Sequence, residues 1–209
     1  MDYLDMYSNN GKHKLSYYLR NNKFNELIEE FFNFIERNKI DLYNEECLKF
    51  ELGTYLRMCY LKEYHIDYER NVREFNINND KIKKHEIDIT IYNDKEKYAI
   101  ELKFPSFKKI NNKKIYNGGN NDEYKHLIED IEFIRELKNE GFTNAWCFTV
   151  VDEIAEKIYT HQGRNESELY KAFRHFDKDK NLDIERNPYN IDWKDWKNKK
   201  SSGKYYIVN

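Results

Sequence analysis

Three residues with the chemistry of a metal site lie close together in the sequence: Asp88, Glu101 and Lys103. Two neighbouring carboxylates repel each other unless a divalent cation lies between them. Mg²⁺ takes one or two protein carboxylates and keeps its other positions for water or phosphate oxygens. A lysine beside such a cation can orient a water molecule or neutralise charge that develops on phosphorus. These residue types therefore predict metal-dependent chemistry on a phosphodiester.

The three residues converge if they lie on two paired strands. Successive side chains of a strand point to opposite faces. Alternation predicts one face made of Glu86, Asp88 and Thr90 and an opposite face made of Ile87, Ile89 and Ile91. In the second strand it places Ala99, Glu101 and Lys103 together. The polar stretch 92–97 carries an Asn-Asp turn signal, so a hairpin is expected, with the acids and the lysine on a shared face.

The segment EIDITIYNDKEKYAIELK resembles the acidic strand, turn and E-x-K strand of the PD-(D/E)XK nuclease superfamily. The resemblance implies an α/β, restriction-endonuclease-like core, with a central mixed β-sheet flanked by helices in αβββαβ order. It implies that Asp88 and Glu101 bind Mg²⁺, for which Mn²⁺ can substitute, and that Lys103 is catalytic. The main-chain carbonyl of Leu102 is a further ligand by the same resemblance. The alternative is that the segment is the solvated charged face of an ordinary hairpin.

Many members of the superfamily also carry a glutamate on a helix ahead of the hairpin. Glu51 is the candidate in this chain, and a solvated glutamate at the border of a buried stripe is the alternative. Glu86 forms an E-x-D arrangement with Asp88 that is similar to resolvase-like members, although it also fits a solvated neighbour. The roles of both residues stay open at this point.

The resemblance implies a metal-dependent endonuclease that hydrolyses phosphodiester bonds in DNA. The leading expectation is a restriction or host-defence nuclease, and a homodimer would supply one site for each strand. Two alternatives remain: a structure-selective repair or recombination nuclease, and an inactive nucleic-acid-binding module of the same fold. The hairpin does not encode the target.

Apolar periodicity places further elements around the hairpin. It predicts helices at about 23–39, 45–63 and 121–139, a first strand within 66–77, and a strand buried on both faces at 145–151. Gly141 is the expected stop of the last helix. We expect a single domain over 1–209, with a helical part at about 1–64 and a catalytic core at about 65–160.

The segment 104–121 is expected to form a loop, which is basic and contains no acid. Its lysines could follow a phosphate backbone near the metal site, and a mobile, solvated loop is an equal alternative. These candidate nucleic-acid-binding residues are Lys108, Lys109, Lys113 and Lys114. Near the C-terminus, Trp193, Trp196, Tyr205 and Tyr206 lie among lysines. They could stack on bases, but aromatic residues at this spacing more often seal a core or a dimer interface.

Composition limits the class of protein. The 209 residues carry a net charge of only -2, so any binding to DNA must rely on local patches rather than on a global basic field. An odd number of cysteines without metal spacing suggests a reducing compartment. The chain shows no signal-peptide pattern and no apolar run of the ~18 residues that span a membrane, so a cytoplasmic protein without a membrane partner is expected.

Overall fold

The chain has an α/β fold in which helices flank a mixed six-stranded sheet. The computed structural model describes residues 14–60, 63–79, 82, 84, 86–104, 107–110, 113–116, 122–152, 194–197 and 202–209. Side chains are not described at 107–110, 113–116, 122–128, 151–152 and 202–204. Among the described helices, none is long and apolar enough to cross a membrane.

Four helices are described, and three of them were predicted from apolar periodicity. They are α1 (Leu15–Arg20), α2 (Phe24–Asn38), α3 (Glu45–Tyr60) and α4 (Asp122–Asn139). The short α1 was not predicted, because six residues make fewer than two turns and leave no clear period. The longer helices each bury one apolar stripe, which explains why their positions could be read from the sequence.

Two helices end in the same backbone motif. After α4, Gly141 has a left-handed φ of 88°, and its N–H donates to the carbonyl of Lys138. The N–H of Phe142 then donates to the carbonyl of Leu137 at 3.0 Å, which satisfies a second free carbonyl. The predicted stop at Gly141 is therefore confirmed. After α2, Lys39 takes the corresponding left-handed position.

The main sheet follows the order β1-β2-β3-β6-β8-β7, and among its described strands only β3 and β6 run parallel. Its strands are β1 (His65–Asn71), β2 (Glu86–Tyr92), β3 (Lys97–Lys103), β6 (Asn144–Asp152), β7 (Lys194–Lys197) and β8 (Ser202–Val208). A separate hairpin is formed by β4 (Phe107–Ile110) and β5 (Lys113–Tyr116). The parallel step from β3 to β6 is made through α4, as such connections usually are.

The predicted hairpin of β2 and β3 is confirmed. Its turn is closed by Asn93, whose N–H donates to the carbonyl of Glu96 at 3.0 Å. The side-chain oxygen of Asn93 accepts from the N–H groups of Lys95 and Glu96, at 2.9 and 3.1 Å. An asparagine that bonds to the backbone just after it favours a tight turn.

Each face of the sheet carries its own apolar cluster. The helical cluster lies against α1, α2 and α3 and includes Ile89, Ile100 and Trp146. The α4 cluster lies on the other side and includes Ala99, Ile134 and Cys147. The strand at 145–151 was predicted to be buried on both faces, and 145–150 of β6 are buried.

The C-terminal aromatic residues belong to the core. Trp196 and Tyr205 are buried in the helical cluster, and Tyr206 is buried in the α4 cluster. This confirms the core interpretation for these three, whereas Trp193 lies outside the described residues.

Two segments differ from the sequence-based expectation. The first strand ends at Asn71, where a short 3-10 helix at Val72–Phe75 begins. The side chain of Asn71 accepts from the N–H of Arg73, and the side chain of Glu74 accepts from the N–H of Asn71. This capping motif ends the strand, although weak apolar alternation had predicted a strand within 66–77. The segment 104–121, predicted as a loop, contains the β4–β5 hairpin.

Candidate functional site

The site lies where β2 and β3 separate. Their pairing runs from Tyr92↔Lys97 to Ile89↔Ile100 and goes no further. Beyond that point β2 remains paired with β1 as far as Glu86, and β3 remains paired with β6 as far as Lys103. The two strands therefore diverge at the residues that carry the candidate chemistry.

Asp88 and Glu101 face each other across this gap. The N–H of Leu102 donates to Asp88 Oδ2 at 2.9 Å, and the N–H of Asp88 approaches Glu101 Oε1 at 3.4 Å. Side chains thus replace the backbone ladder at this end of the hairpin. The side chain of Glu101 is 0% exposed and that of Asp88 is 14% exposed. Burial, and next the charge of Asp88, raise the pKa of Glu101 well above its ordinary value.

The side chains of β2 do not alternate regularly between the two sides of the sheet as had been predicted, because the pattern changes at Asp88. Ile89 and Ile91 pack in the helical cluster, but Ile87 packs in the α4 cluster. The expectation that Ile87 shares a face with Ile89 and Ile91 is wrong. The backbone is irregular here: Glu69, at the matching position of β1, has a φ of 51°. This irregularity accompanies the side-chain bonds that Asp88 makes across the gap.

Two residues that sequence reasoning missed complete the centre of the site. Asp130 on α4 has a side chain only 5% exposed, and its Oδ1 accepts from Lys84 Nζ at 2.8 Å. Lys84 Nζ also bonds to Glu101 Oε2, so one ammonium bridges two carboxylates. Burial alone would lower the pKa of Lys84, but the charges of Glu101 and Asp130 raise it above its ordinary value.

Lys103 reaches the site through Asp130. Its Nζ lies 3.2 Å from Asp130 Oδ2, within ion-pair distance, and 3.5 Å from Glu45 Oε1 on α3. Burial acts to lower the pKa of Lys103, but Asp130 and Glu45 raise it above the ordinary value, so the ammonium is charged. Asp130 Oδ2 is buried and has no hydrogen-bond partner of good geometry among the described residues.

The glutamate of α3 that contacts the site is Glu45. Its Oε2 accepts from the N–H of Phe104 at 3.3 Å, and burial raises its pKa. The candidate Glu51 is half-buried on the same helix, where its charge acts on the thiol of Cys47. A part for Glu51 in catalysis stays a prediction.

Lys49 of α3 also borders Asp88. Its Nζ lies 3.7 Å from Asp88 Oδ1, 3.1 Å from Glu46 Oε1 and 2.8 Å from Glu69 Oε1. An almost buried ammonium, whose side chain is 8% exposed, thus lies among three carboxylates beside the site.

The other residues predicted for the site are Leu102 and the four lysines of the basic segment. Leu102 lies beside Asp88, to which its amide donates, and its side chain is buried in the helical cluster. A metal bond from its carbonyl stays a prediction. The four lysines of the basic segment lie on β4 and β5, and their side chains are outside the described part of the chain.

The donors present fit a hard divalent cation. Asp88, Glu101 and Asp130 supply only carboxylate oxygens, which Mg²⁺ and Mn²⁺ prefer. Within the described residues, Asp130 Oδ2 lies at ion-pair distance from Lys103 but accepts no hydrogen bond of good geometry. Within the described residues, no group of three or more His, Cys, Asp or Glu is arranged to hold a metal by itself. Mg²⁺ needs only one or two protein carboxylates, so that finding is compatible with a site completed by water and substrate.

One of the missed residues had a signal in the sequence. Asp130 lies four residues before Ile134 and seven before Leu137, which places a carboxylate on the buried stripe of α4. A charge at such a position is costly unless it is paired, so it marks a candidate site. Lys84 and Glu45 had no comparable signal, because their contacts depend on how separate elements pack.

Searched against models of protein families, against curated proteins and against solved structures, the chain gives no match in any of the three.

Proposed function

We propose that this protein is a metal-dependent endodeoxyribonuclease with a site of the PD-(D/E)XK type. The observation that carries the proposal is the meeting of Asp88 and Glu101 where β2 and β3 diverge. Lys103 belongs to the same network through Asp130. Carboxylates brought together in a buried place need a cation, and a lysine beside them suits chemistry on phosphate.

The element order supports the same proposal. The described elements run α3-β1-β2-β3-α4-β6, with the β4–β5 hairpin inserted before α4. Apart from that hairpin and the 3-10 helix at Val72–Phe75, this order is compatible with the αβββαβ order that the resemblance implies for a restriction-endonuclease-like core. DNA as substrate and a homodimeric assembly follow from the resemblance alone, and both are part of the proposal.

Each residue has a distinct task in this proposal. Asp88 and Glu101 would hold Mg²⁺, with the Leu102 carbonyl as a further ligand. A bound Mg²⁺ would supply Lewis-acid polarisation of the phosphate and help to generate the attacking hydroxide. Lys103, kept charged by its acidic neighbours, would orient the attacking water or neutralise charge on the phosphate oxygens. Water adds to phosphorus, one ester P–O bond breaks, and the leaving oxygen takes up a proton.

The proposal is tested by incubating the purified protein with supercoiled plasmid and linear DNA in MgCl₂. We expect nicked or linear products from the wild type. Asp88→Asn and Lys103→Met each remove one member of the site, so cleavage should fall by roughly 100-fold or more. Gel quantification of the initial rate measures the effect, and circular dichroism confirms that the variants are folded.

Glu26→Gln is the matched control for these variants. Glu26 lies on α2 and pairs with Lys23 at 2.9 Å, and the side chains of both are exposed. This variant should cut DNA at the wild-type rate. Folded Asp88→Asn protein that cuts as fast as Glu26→Gln would exclude the proposed site.

Mapping the ends of the products separates the two kinds of nuclease. Discrete sites in linear DNA would indicate restriction, whereas cuts at branches or flaps would indicate repair or recombination.

A further inference from the structure

The bridge made by Lys84 differs from an ordinary ion pair. Its ammonium joins Glu101 of β3 to Asp130 of α4, with an Nζ–Oδ1 distance of 2.8 Å to Asp130. The two carboxylates come from different layers of the fold, which the apolar packing of Ile131 and Ile134 of α4 against Ala99 of β3 brings together. The ammonium of Lys84 then compensates the charge of both acids at one position.

The position demands a positive charge. The side chains of Glu101 and Asp130 are 0% and 5% exposed, so water screens their charges poorly. Buried carboxylates left without a partner strongly destabilise the folded protein. A divalent cation bound between these oxygens would supply the same compensation.

Lys84 is attached so that its ammonium can be replaced. It lies just ahead of β2, outside any helix or strand, and its side chain is 34% exposed. Its Nζ lies 5.7 Å from the centroid of the Phe133 ring. The head is thus held by the two carboxylates, and the side chain has a route to solvent.

We propose that Lys84 occupies the cation position of this site in the metal-free protein, and that Glu101 and Asp130 are ligands of the divalent metal that displaces it. This inference rests on the metal-dependent function proposed above. It adds Asp130 to the metal ligands and gives Lys84 a role distinct from that of Lys103. Lys84 stabilises the folded protein without metal and competes with the metal that activates it.

The test is titration of Lys84→Met with MnCl₂, followed by isothermal calorimetry. Methionine keeps much of the length of the side chain but removes the competing charge. We expect the variant to bind Mn²⁺ roughly 10-fold to 100-fold more tightly than the wild type. Equal or weaker binding would overturn the inference.

Thermal unfolding gives a second measurement if the variant is poorly folded without metal. Saturating MnCl₂ should raise its melting temperature by about 5–10 °C more than that of the wild type. Lys194→Met is the matched control, because Lys194 is also 34% exposed and pairs with Glu29 at 2.6 Å away from the site. A rise in Lys84→Met no larger than in Lys194→Met, at equal ionic strength, contradicts the inference.

The two proposals fail in different ways. Wild-type protein that cuts DNA with Mg²⁺, while Lys84→Met gains no affinity for Mn²⁺, overturns the role of Lys84 alone. Tighter Mn²⁺ binding by Lys84→Met, with no cleavage by the wild type, overturns the nuclease and keeps the cation site.

Discussion

At the scale of single residues, the site combines buried carboxylates with lysines that compensate their charge. Glu101 is fully buried beside Asp88, and its charge is compensated by Lys84. The meeting of Asp88 and Glu101 could be predicted, because the register of a hairpin depends on local sequence. The contacts of Lys84, Asp130 and Glu45 could not, since they arise only when α3 and α4 pack on the sheet.

A further carboxylate, partly buried, lies at the turn of the hairpin and has a structural role. Glu96 accepts from Arg20 Nη2 at 2.7 Å, from Tyr98 Oη at 2.8 Å and from the hydroxyl of Tyr64. The bond from Arg20 is the largest cause that lowers the pKa of Glu96, to about 2. Glu96 therefore ties α1 to the β2–β3 hairpin.

Glu96→Gln tests this role through pH. A carboxylate whose pKa is lower in the folded protein stabilises it above the unfolded pKa and loses that effect as pH falls through the folded pKa. The difference in unfolding free energy between wild type and Glu96→Gln should be full above about pH 5. It should shrink as the pH falls towards about 2. Urea unfolding at a series of pH values measures it, and a difference that does not change over this range would contradict the ion-pair assignment.

At the scale of elements, α3 meets β1 at an unusually close contact. A Cβ added at Gly53 would lie 2.2 Å from a carbon of the Tyr68 ring, so the ring occupies the space that other residues would fill. The guanidinium of Arg57 lies 4.4 Å from the centroid of the same ring. Gly53 therefore lets α3, which carries Glu45 and Lys49, approach the strands.

A double-mutant cycle separates this packing from helix propensity. Glycine inside a helix is less favourable than alanine by up to about 1 kcal/mol. In the wild type, Gly53→Ala should lower stability, because it displaces Tyr68 from Arg57. In a Tyr68→Ala background the same change should raise stability by up to about 1 kcal/mol, as propensity alone remains. The cycle is measured by urea unfolding, and an equal effect in both backgrounds would rule out the proposed contact.

Helices and strands whose apolar residues recur at a regular spacing, or that flank a clear turn signal, were predicted from the sequence. The other elements were not. The long helices, the hairpin and β6 each show the apolar pattern of their burial. The β4–β5 hairpin was missed because its sequence is dominated by lysine and asparagine. The strand β8 was missed because its pairing with β6 joins residues far apart in the chain, and β7, which pairs with β8, is only four residues long.

At the scale of the whole molecule, the divergence of β2 and β3 lets the two layers of helices reach one place. Glu45 and Lys49 come from α3, beside the helical cluster, and Asp130 comes from α4 on the other side of the sheet. A continuous sheet would keep these side chains apart. A central mixed sheet flanked by helices was predicted, but not its six strands. The separation of β2 from β3 could not be predicted either, because it depends on pairings between distant segments.

The central claim is that this opening is a metal-dependent nuclease site, and metal add-back tests it most directly. Wild-type protein treated with excess chelator is incubated with supercoiled plasmid, and MgCl₂ is then added in excess over the chelator. Glu101→Gln, in which the buried carboxylate becomes a neutral amide, is treated in the same way. We predict no cleavage with chelator, nicking or linearisation by the wild type after MgCl₂ is added, and none by folded Glu101→Gln. Cleavage that persists in chelator, or that Glu101→Gln retains, would contradict the account.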